Sequence, residues 1–265
     1  MRRRLDAELV RRGLVVSRSR AAEAIRAGRV LVGGAPASTP ARQVATNEAI
    51  TVDEPPPRFV SRGGEKLAAA LDRFRIDVAG RRALDAGAST GGFTDCLLQA
   101  GAAHVFAVDV GRGQLAWALR RDDRVTVLER TNVRTLEPSA LDGRVDIVSA
   151  DLSFISLLSV APALARCAEP GADLVVLVKP QFEAGRAFVG KGGIVREPGV
   201  HQRVLRDVTL GLAAAGLAAV QVMPSPRRRG RGNVEFLVHC RNGRSDILAD
   251  EALEEAVGEA HGSDA

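Results

Sequence analysis

The sequence predicts a mainly parallel α/β domain with helices on both faces of its sheet, preceded by a small basic α+β module. Three observations carry that prediction. From about residue 66 onward, short apolar runs alternate with stretches of helical period, the pattern of strands joined by crossover helices. Ahead of them Glu54-Pro55-Pro56-Pro57 interrupts the chain. Three prolines sustain neither a helix nor a ladder and favour stiff extended backbone. The charge is also divided: residues 1–30 hold nine arginines against Asp6, Glu8 and Glu23, a net +6, whereas residues 245–265 hold seven acids and no Lys or Arg, a net −7. The expected division is a basic module over 1–54, a linker over 55–61, the α/β domain over 62–244 and an acidic tail over 245–265, disordered or helical.

Each element has its own signal. Leu5, Leu9 and Val10 recur at helical spacing and Gly13 closes that helix. Ser17 or Ser19 caps a second helix, which carries Ala21, Ala22, Ala24 and Ile25 and ends at Gly28. Val30-Leu31-Val32 and the turn signal Gly33-Gly34 indicate short strands, with another over 49–52. In the larger domain the reading is a helix over 66–74, a strand over 82–85, a loop over 86–92 and a helix over 93–100. A strand over 104–108, a helix over 114–120 and strands over 125–128 and 145–149 follow. The chain closes with a helix over 157–165, a strand over 174–178, a long loop, a helix over 201–215 and strands over 219–223 and 234–240. Such a sheet binds its ligands at the carboxyl ends of its strands.

At 265 residues with 46% hydrophobic content, the chain is long enough for one large and one small domain. Aromatics are 3% and Tyr is absent, so nucleobase stacking has few candidates and nucleic-acid binding must rest on arginine. Cys96, Cys167 and Cys240 are scattered and form no CxxC pair, and His104, His201, His239 and His261 lack ligand spacing. That argues against a disulfide framework and against a metal site, and fits a reducing compartment. Met1-Arg2-Arg3-Arg4 is followed by more charge rather than an apolar segment, and the longest apolar stretch, 210–220, falls short of the roughly 20 residues of a bilayer span. The expectation is a soluble, cytoplasmic protein with no membrane partner.

Of 37 basic residues only Lys66, Lys179 and Lys191 are lysine. A guanidinium does not release its proton in a protein, whereas an ammonium in a dry site does and then acts as a base. Lys66 lies in Ser61-Arg62-Gly63-Gly64-Glu65-Lys66-Leu67 and Lys179 at the end of an apolar run, in Val178-Lys179-Pro180-Gln181-Phe182. Lys191 stands in Gly190-Lys191-Gly192-Gly193 and is either an RNA contact or a solvated turn.

Asp85-Ala86-Gly87-Ala88-Ser89-Thr90-Gly91-Gly92-Phe93 joins a strand to a helix. Its glycines permit close approach of a ligand, and the helix N-terminus supplies free N–H donors. Asp109 ends the next strand, where an acid meets ribose hydroxyls. The spacing is not G-x-G-x-x-G and no Gly-Lys-Ser/Thr follows, which counts against NAD and ATP. An acid ahead of the first glycine suits an amine-bearing cation such as S-adenosylmethionine. Asp151 follows one apolar strand, Lys179 the next, and Glu235 lies inside a late strand. Singly, each reads as well as an ion-pair partner; together, beside a cofactor loop, two acids and two lysines favour catalysis.

These residues carry a resemblance. Asp85 to Phe93 with Lys66, Asp151, Lys179 and Glu235 resembles the K-D-K-E tetrad of the FtsJ-like, S-adenosylmethionine-dependent RNA 2′-O-methyltransferases. Arg4-Leu5-Asp6…Gly13…Ser17-Arg18…Ala21…Ile25…Gly28…Val30 is similar to an S4 RNA-binding domain. In this order, with Ala150-Asp151-Leu152-Ser153-Phe154 and Lys191-Gly192-Gly193-Ile194-Val195-Arg196, they resemble the TlyA (hemolysin A) family. The resemblance implies a Rossmann-like class I methyltransferase domain behind an S4 domain, and methylation of a cytidine ribose 2′-hydroxyl in rRNA of assembled ribosomal subunits, small, large or both. The Arg-rich start and long tail resemble members that modify both. Sensitivity to capreomycin-like peptides accompanies the modification in that family.

On this reading Lys179 is the general base, Asp151 orients it, and Lys66 and Glu235 position the hydroxyl. Asp85, Gly87, Ala88, Ser89, Thr90, Gly91, Gly92, Phe93, Asp109, Asn132 and Asp151 form the expected cofactor-binding set. Arg4, Arg18 and Arg20, with a second patch of Arg227, Arg228, Arg229 and Arg231, are the expected RNA contacts, giving salt-sensitive affinity with little sequence information. A non-catalytic S4-type assembly factor, a pore-forming hemolysin and a pseudouridine synthase are the rival readings.

Overall fold

The computed structural model describes residues 2–15, 17–53, 57–226, 232–244 and 246–262. The chain forms two compact units, Met1–Pro57 and Arg58–Ala265. The first contains β1 (Arg2–Arg4), α1 (Leu5–Arg11), α2 (Arg18–Arg26), β2 (Val30–Val32), β3 (Ala35–Pro36), β4 (Gln43–Ala45) and β5 (Ile50–Val52). The Ser17 hydroxyl caps α2 by accepting the Arg20 N–H at 3.3 Å. Strand β2 runs antiparallel between β3 and β5. The β1–β4 pair was not anticipated, because three consecutive arginines show no apolar alternation. Leu5, Leu9, Ala24, Ile25, Val30 and Val44 are fully buried and hold this unit together.

The second unit contains α3 (Gly63–Phe74), β6 (Arg82–Ala86), α4 (Gly92–Gln99), β7 (His104–Val108), α5 (Trp117–Arg120), β8 (Val125–Leu128), β9 (Val145–Ala150), α6 (Ala161–Cys167) and β10 (Ala168–Val178). Then come α7 (Pro180–Glu183), α8 (Pro198–Ala214), β11 (Leu217–Pro224), β12 (Phe236–Asn242) and α9 (Asp250–Gly262). Its seven strands lie in the order β11-β12-β10-β9-β6-β7-β8. All neighbours are parallel except β12, which runs antiparallel to β10 and β11. Alternate residues build two cores: Leu174, Val176 and Val178 of β10 join one, and Val175 and Leu177 the other. Because β6 leads outward to β7 while its other neighbour β9 leads to β10, the loops leaving β6 and β9 diverge. In a sheet of this kind, ligands bind at the carboxyl ends of the strands beside such a divergence.

Several boundaries differ from the expected ones. Residues 58–61 belong to the second unit rather than to a linker: Phe59 is buried and its ring fills the space where a Gly64 side chain would stand. Pro55 and Pro56 of the expected linker, and Glu54 before it, lie outside the described residues. Helix α5 has four residues instead of seven, since Ala116 is extended (ψ 140°) and its N–H is taken by the Thr90 carbonyl. Helix α8 begins at Pro198, a residue suited to a first turn. Strand β12 begins at Phe236, so Glu235 stands just before it, its carbonyl accepting the Ser225 N–H at 2.8 Å. The acidic tail is a docked helix: Leu253, Ala256, Val257 and Ala260 form a buried stripe, and His261 meets the buried His201 ring at 2.9 Å.

Candidate active site

Glycines bring the first two helices of the larger unit together. A side chain at Gly92 would meet Ser61 Oγ at 2.2 Å and the Gly64 nitrogen at 2.9 Å, and Gly63 lies within contact reach of the Phe93 ring. Helix α3 therefore starts directly against the start of α4. Lys66 falls in the first turn of α3, beside the loop that follows β6. Phe93, expected at the cofactor, is buried in this packing.

The β6–α4 loop is shaped by close approach. Gly87 has φ +89°, and a Cβ there would lie 2.5 Å from the Asp151 carbonyl oxygen. The loop is thus pressed onto the end of β9. The Gly87 and Ala88 N–H groups donate to the Val108 carbonyl at 2.8 and 3.0 Å. Gly91, at φ +95°, leaves room only for Leu119 and Leu115, and Thr90 fixes the Ala116 backbone. Asp109 accepts the Ser89 N–H at 2.8 Å and the Gly111 N–H at 2.6 Å. Ala88, Ser89 and Asp109 line a small cleft with Gly111, Gln114 and Glu129; the last three were missed, though Val108-Asp109-Val110-Gly111 offered a glycine beside the acid. Asn132 accepts the Arg134 N–H at 3.0 Å and caps a short turn.

Asp85 is fully buried. Its carboxyl accepts the Thr94 hydroxyl at 2.6 Å and the Ser149 hydroxyl at 3.5 Å. Burial pushes it up to about 7 against the Thr94 hydrogen bonds, with the negative charge of Asp151 adding to the rise. It thus sits under the loop rather than in the cleft. The donor set suits a nucleoside carrying a cationic arm: a glycine-lined approach, a ribose-type acid in Asp109 and a partly exposed carboxylate in Asp151.

The two lysines are each paired with an acid. Lys179 Nζ lies 2.5 Å from Asp151 Oδ1 and donates to Ser153 Oγ at 2.8 Å. Lys66 Nζ donates to Glu235 Oε2 at 2.5 Å. The registers Val176–Ala150 and Val178–Phe236 put Asp151, Lys179 and Glu235 at one edge of the sheet, on three adjacent strands. Lys179 is 8% exposed, whereas the Lys66, Glu235 and Asp151 side chains are each about one-fifth exposed. The arrangement offers a nearly buried amine, opposed by a carboxylate, beside a second ion pair.

Three features around it were not read from the sequence. Phe154 is 92% exposed with φ +63°, its ring 5.3 Å from that of Phe182; in a chain so poor in aromatics its position beside Asp151 was the available signal. Glu183 accepts the Ser156 hydroxyl and the Leu157 N–H, both at 2.7 Å. Asn233 donates to the Gly193 carbonyl and accepts the Val195 N–H, both at 2.8 Å, which ties the exposed Lys191 turn to the segment carrying Glu235. In the smaller unit, Arg4 and Arg18 both bind Asp6, at 3.0 and 2.9 Å, and Arg20 has Glu23 at 3.9 Å. Arg227, Arg228, Arg229 and Arg231 lie outside the described residues. Burial pushes the Cys96 and Cys240 thiols up to about 12 and Cys167 to about 11, so none serves as a nucleophile. Among the described residues no cluster of metal-ligating side chains occurs and no helix is long and apolar enough to cross a membrane.

Comparison with known proteins follows the same division. Residues 59–242 match the FtsJ-like methyltransferase family and residues 3–50 the S4 domain. The chain is 54% identical over 260 residues to the 16S/23S rRNA (cytidine-2′-O)-methyltransferase TlyA of Mycobacterium tuberculosis, covering 98% of this chain and 97% of that one. It is 45% identical to YqxC of Bacillus subtilis over 97% of this chain and 94% of the relative. A solved Streptococcus thermophilus structure bearing the hemolysin name is 40% identical and superposes with a TM-score of 0.79, over 98% of this chain and 96% of that one. An S4 domain followed by an FtsJ-like methyltransferase domain, over a full-length match of this kind, places the chain in the TlyA (hemolysin A) family of FtsJ-like methyltransferases.

Proposed function

We propose that this chain methylates the 2′-hydroxyl of a cytidine in 16S and 23S rRNA of ribosomal subunits, with S-adenosylmethionine as donor and Lys179 as general base. The observation that carries the reading is the nearly buried Lys179 amine held 2.5 Å from Asp151 at the carboxyl edge of the sheet. The rRNA methyltransferase name of the M. tuberculosis relative supports the substrate.

When bound, the donor supplies a methyl group on a sulfonium. Asp109 would hold its ribose, aimed by the Ser89 and Gly111 N–H groups. Lys179 takes the hydroxyl proton as the oxygen attacks, since a ribose hydroxyl is a poor nucleophile at neutral pH. Asp151 stabilises the resulting ammonium. The Lys66–Glu235 pair orients the hydroxyl, and much of the acceleration comes from alignment. Phe154 offers an exposed face to a nucleotide turned out of its helix. The S4 unit and its arginines supply salt-sensitive affinity for RNA. The test is transfer of labelled methyl from S-adenosylmethionine to separated ribosomal subunits from cells lacking the enzyme. Label in the RNA that disappears with Lys179→Ala is expected; bound donor with no label in either subunit would leave a non-catalytic assembly factor.

A further inference from the structure

The Lys179 amine is held from two directions, and both holders leave β9 on one short loop. Asp151 is the first residue after the strand and Ser153 the third. The left-handed backbone of Phe154 then turns the chain away. The far end of this loop is fixed to α7, the helix that begins immediately after Lys179, through the paired bonds from Ser156 and Leu157 to Glu183. One segment thus carries the amine and anchors the loop that supplies its hydroxyl partner.

We propose that Ser153 is a positioning residue for methyl transfer, aiming the free electron pair of Lys179; the inference rests on the reading of Lys179 as base. A neutral amine has one bond to carbon, two N–H bonds and one lone pair. Ser153 Oγ takes one N–H at 2.8 Å, and Asp151 Oδ1 lies 2.5 Å from Nζ as its ion-pair partner, so the hydrogen bond to Ser153 fixes the rotation of the amine and with it the direction of the lone pair. Asp151 alone leaves Nζ free to turn about its last carbon–nitrogen bond, and the pair then points away from the substrate part of the time. In the step itself the 2′-hydroxyl proton passes to Nζ while the oxygen bonds to the methyl carbon and the sulfonium sulfur keeps the electrons of the broken bond. No further co-reactant is required. The ammonium so formed finds acceptors already placed in Asp151 and Ser153.

Ser153→Thr and Ser153→Val separate the hydroxyl from the bulk, because the two side chains have nearly the same shape and residue 153 is exposed. The readouts are kcat and KM for ribosomal subunits and the dissociation constant of S-adenosylmethionine by calorimetry. The expected result is a kcat about 10- to 100-fold lower for Val, with KM and donor affinity within about 2-fold of wild type, and a Thr variant within about 3-fold throughout. Equal activity of Val and Thr, equal losses in both, or a loss confined to KM would each overturn the role of Ser153. Failure of the wild-type protein to label RNA, or full turnover by Lys179→Met, would instead overturn the base assignment beneath it.

Discussion

Lys66 and Glu235 are 169 residues apart in the chain and 2.5 Å apart in space. The contact joins the first turn of α3 to the residue leading into β12. Each side chain is only about one-fifth exposed, so the attraction within the pair is largely offset by the cost of taking both charges out of water. The pair stands beside the Lys179–Asp151 pair at the carboxyl ends of β9 and β10, which suits the proposed work on substrate. Glu235→Gln and Lys66→Met are expected to lower kcat by 100-fold or more, on the order of what positioned groups contribute, while the melting temperature moves by only a few degrees. A large loss of melting temperature with turnover intact would make the pair a structural clip.

Lys179→Arg leaves a nitrogen-bearing side chain beside Asp151 but removes a proton acceptor, since guanidinium stays protonated. Turnover is expected to fall by about 10²–10⁴-fold, the usual weight of a general base, with S-adenosylmethionine still bound. Calorimetry alongside a methyl-transfer assay separates the two effects, and turnover within a few fold of wild type would remove Lys179 from the base role.

Asp85 gives the fold a pH dependence. Its carboxyl is raised to about 7 in the folded chain and returns to about 4 when unfolded. Between those values the folded state holds a proton that the unfolded state has released, so stability falls as pH rises through this window and the penalty is complete above pH 7. Asp85→Asn removes the ionisation while its carbonyl still accepts the Thr94 hydroxyl. The variant is expected to match the wild type near pH 4 and to be more stable at pH 8 by on the order of 2–4 kcal/mol. Denaturant titrations at the two pH values check this; a stability difference that does not change with pH rules it out.

Much of this was legible in the residues. The strands showed through because β6, β7 and β9 are short apolar runs bounded by turns, and the lysines stood out against an arginine-rich background. What stayed hidden was set by tertiary contact. Asp85 reads as a ligand acid in the sequence, yet the packing of Thr94 and Ser149 encloses it. Phe93 follows the glycine loop, yet its ring packs into the core with Phe59, Leu67 and Leu97. For the tail the sequence left disorder and helix both open, because seven acids offset the apolar spacing of Leu253, Ala256, Val257 and Ala260. Ser153 carries no signal of its own, because a hydroxyl two residues after an acid becomes informative only once the backbone turns at Phe154.

The S4 arginines are not equivalent. Arg4 and Arg18 share Asp6, whose carboxyl the hydrogen bond from Arg4 holds down at about 2, whereas the Arg20 guanidinium stands farther, at 3.9 Å, from Glu23. Arg20→Ala is therefore expected to weaken RNA binding and reduce the slope of log affinity against log salt by about 1, with unchanged stability. Arg18→Ala should weaken RNA binding and also lower stability above the Asp6 range, since a depressed carboxyl stabilises the fold at higher pH and that gain is lost as pH falls toward 2. Binding titrations over a salt series and melts at neutral pH distinguish the two; identical behaviour of both variants would dismiss the distinction.

Gly92 tests whether the site depends on the meeting of α3 and α4. By helix propensity alone, alanine is better than glycine by up to about 1 kcal/mol. A Cβ at Gly92, however, would stand 2.2 Å from Ser61 Oγ, 2.9 Å from the Gly64 nitrogen and 3.1 Å from the Gly63 Cα. The Ser61 side chain can rotate away, but the backbone contacts yield only if the start of α3 moves, and overpacking of this kind costs about 1–3 kcal/mol. That displacement would carry Lys66 away from Glu235. Gly92→Ala is expected to destabilise the protein and to lower kcat by more than its stability loss accounts for. Gly199→Ala, in the first turn of α8 with open space around its Cβ, should instead be neutral or stabilising by a few tenths of a kcal/mol. Adding Ser61→Gly to Gly92→Ala removes the nearest contact and leaves those with Gly64 and Gly63. Full recovery of activity in that double variant would show that the serine, and not the close approach of the two helix starts, sets the position of Lys66.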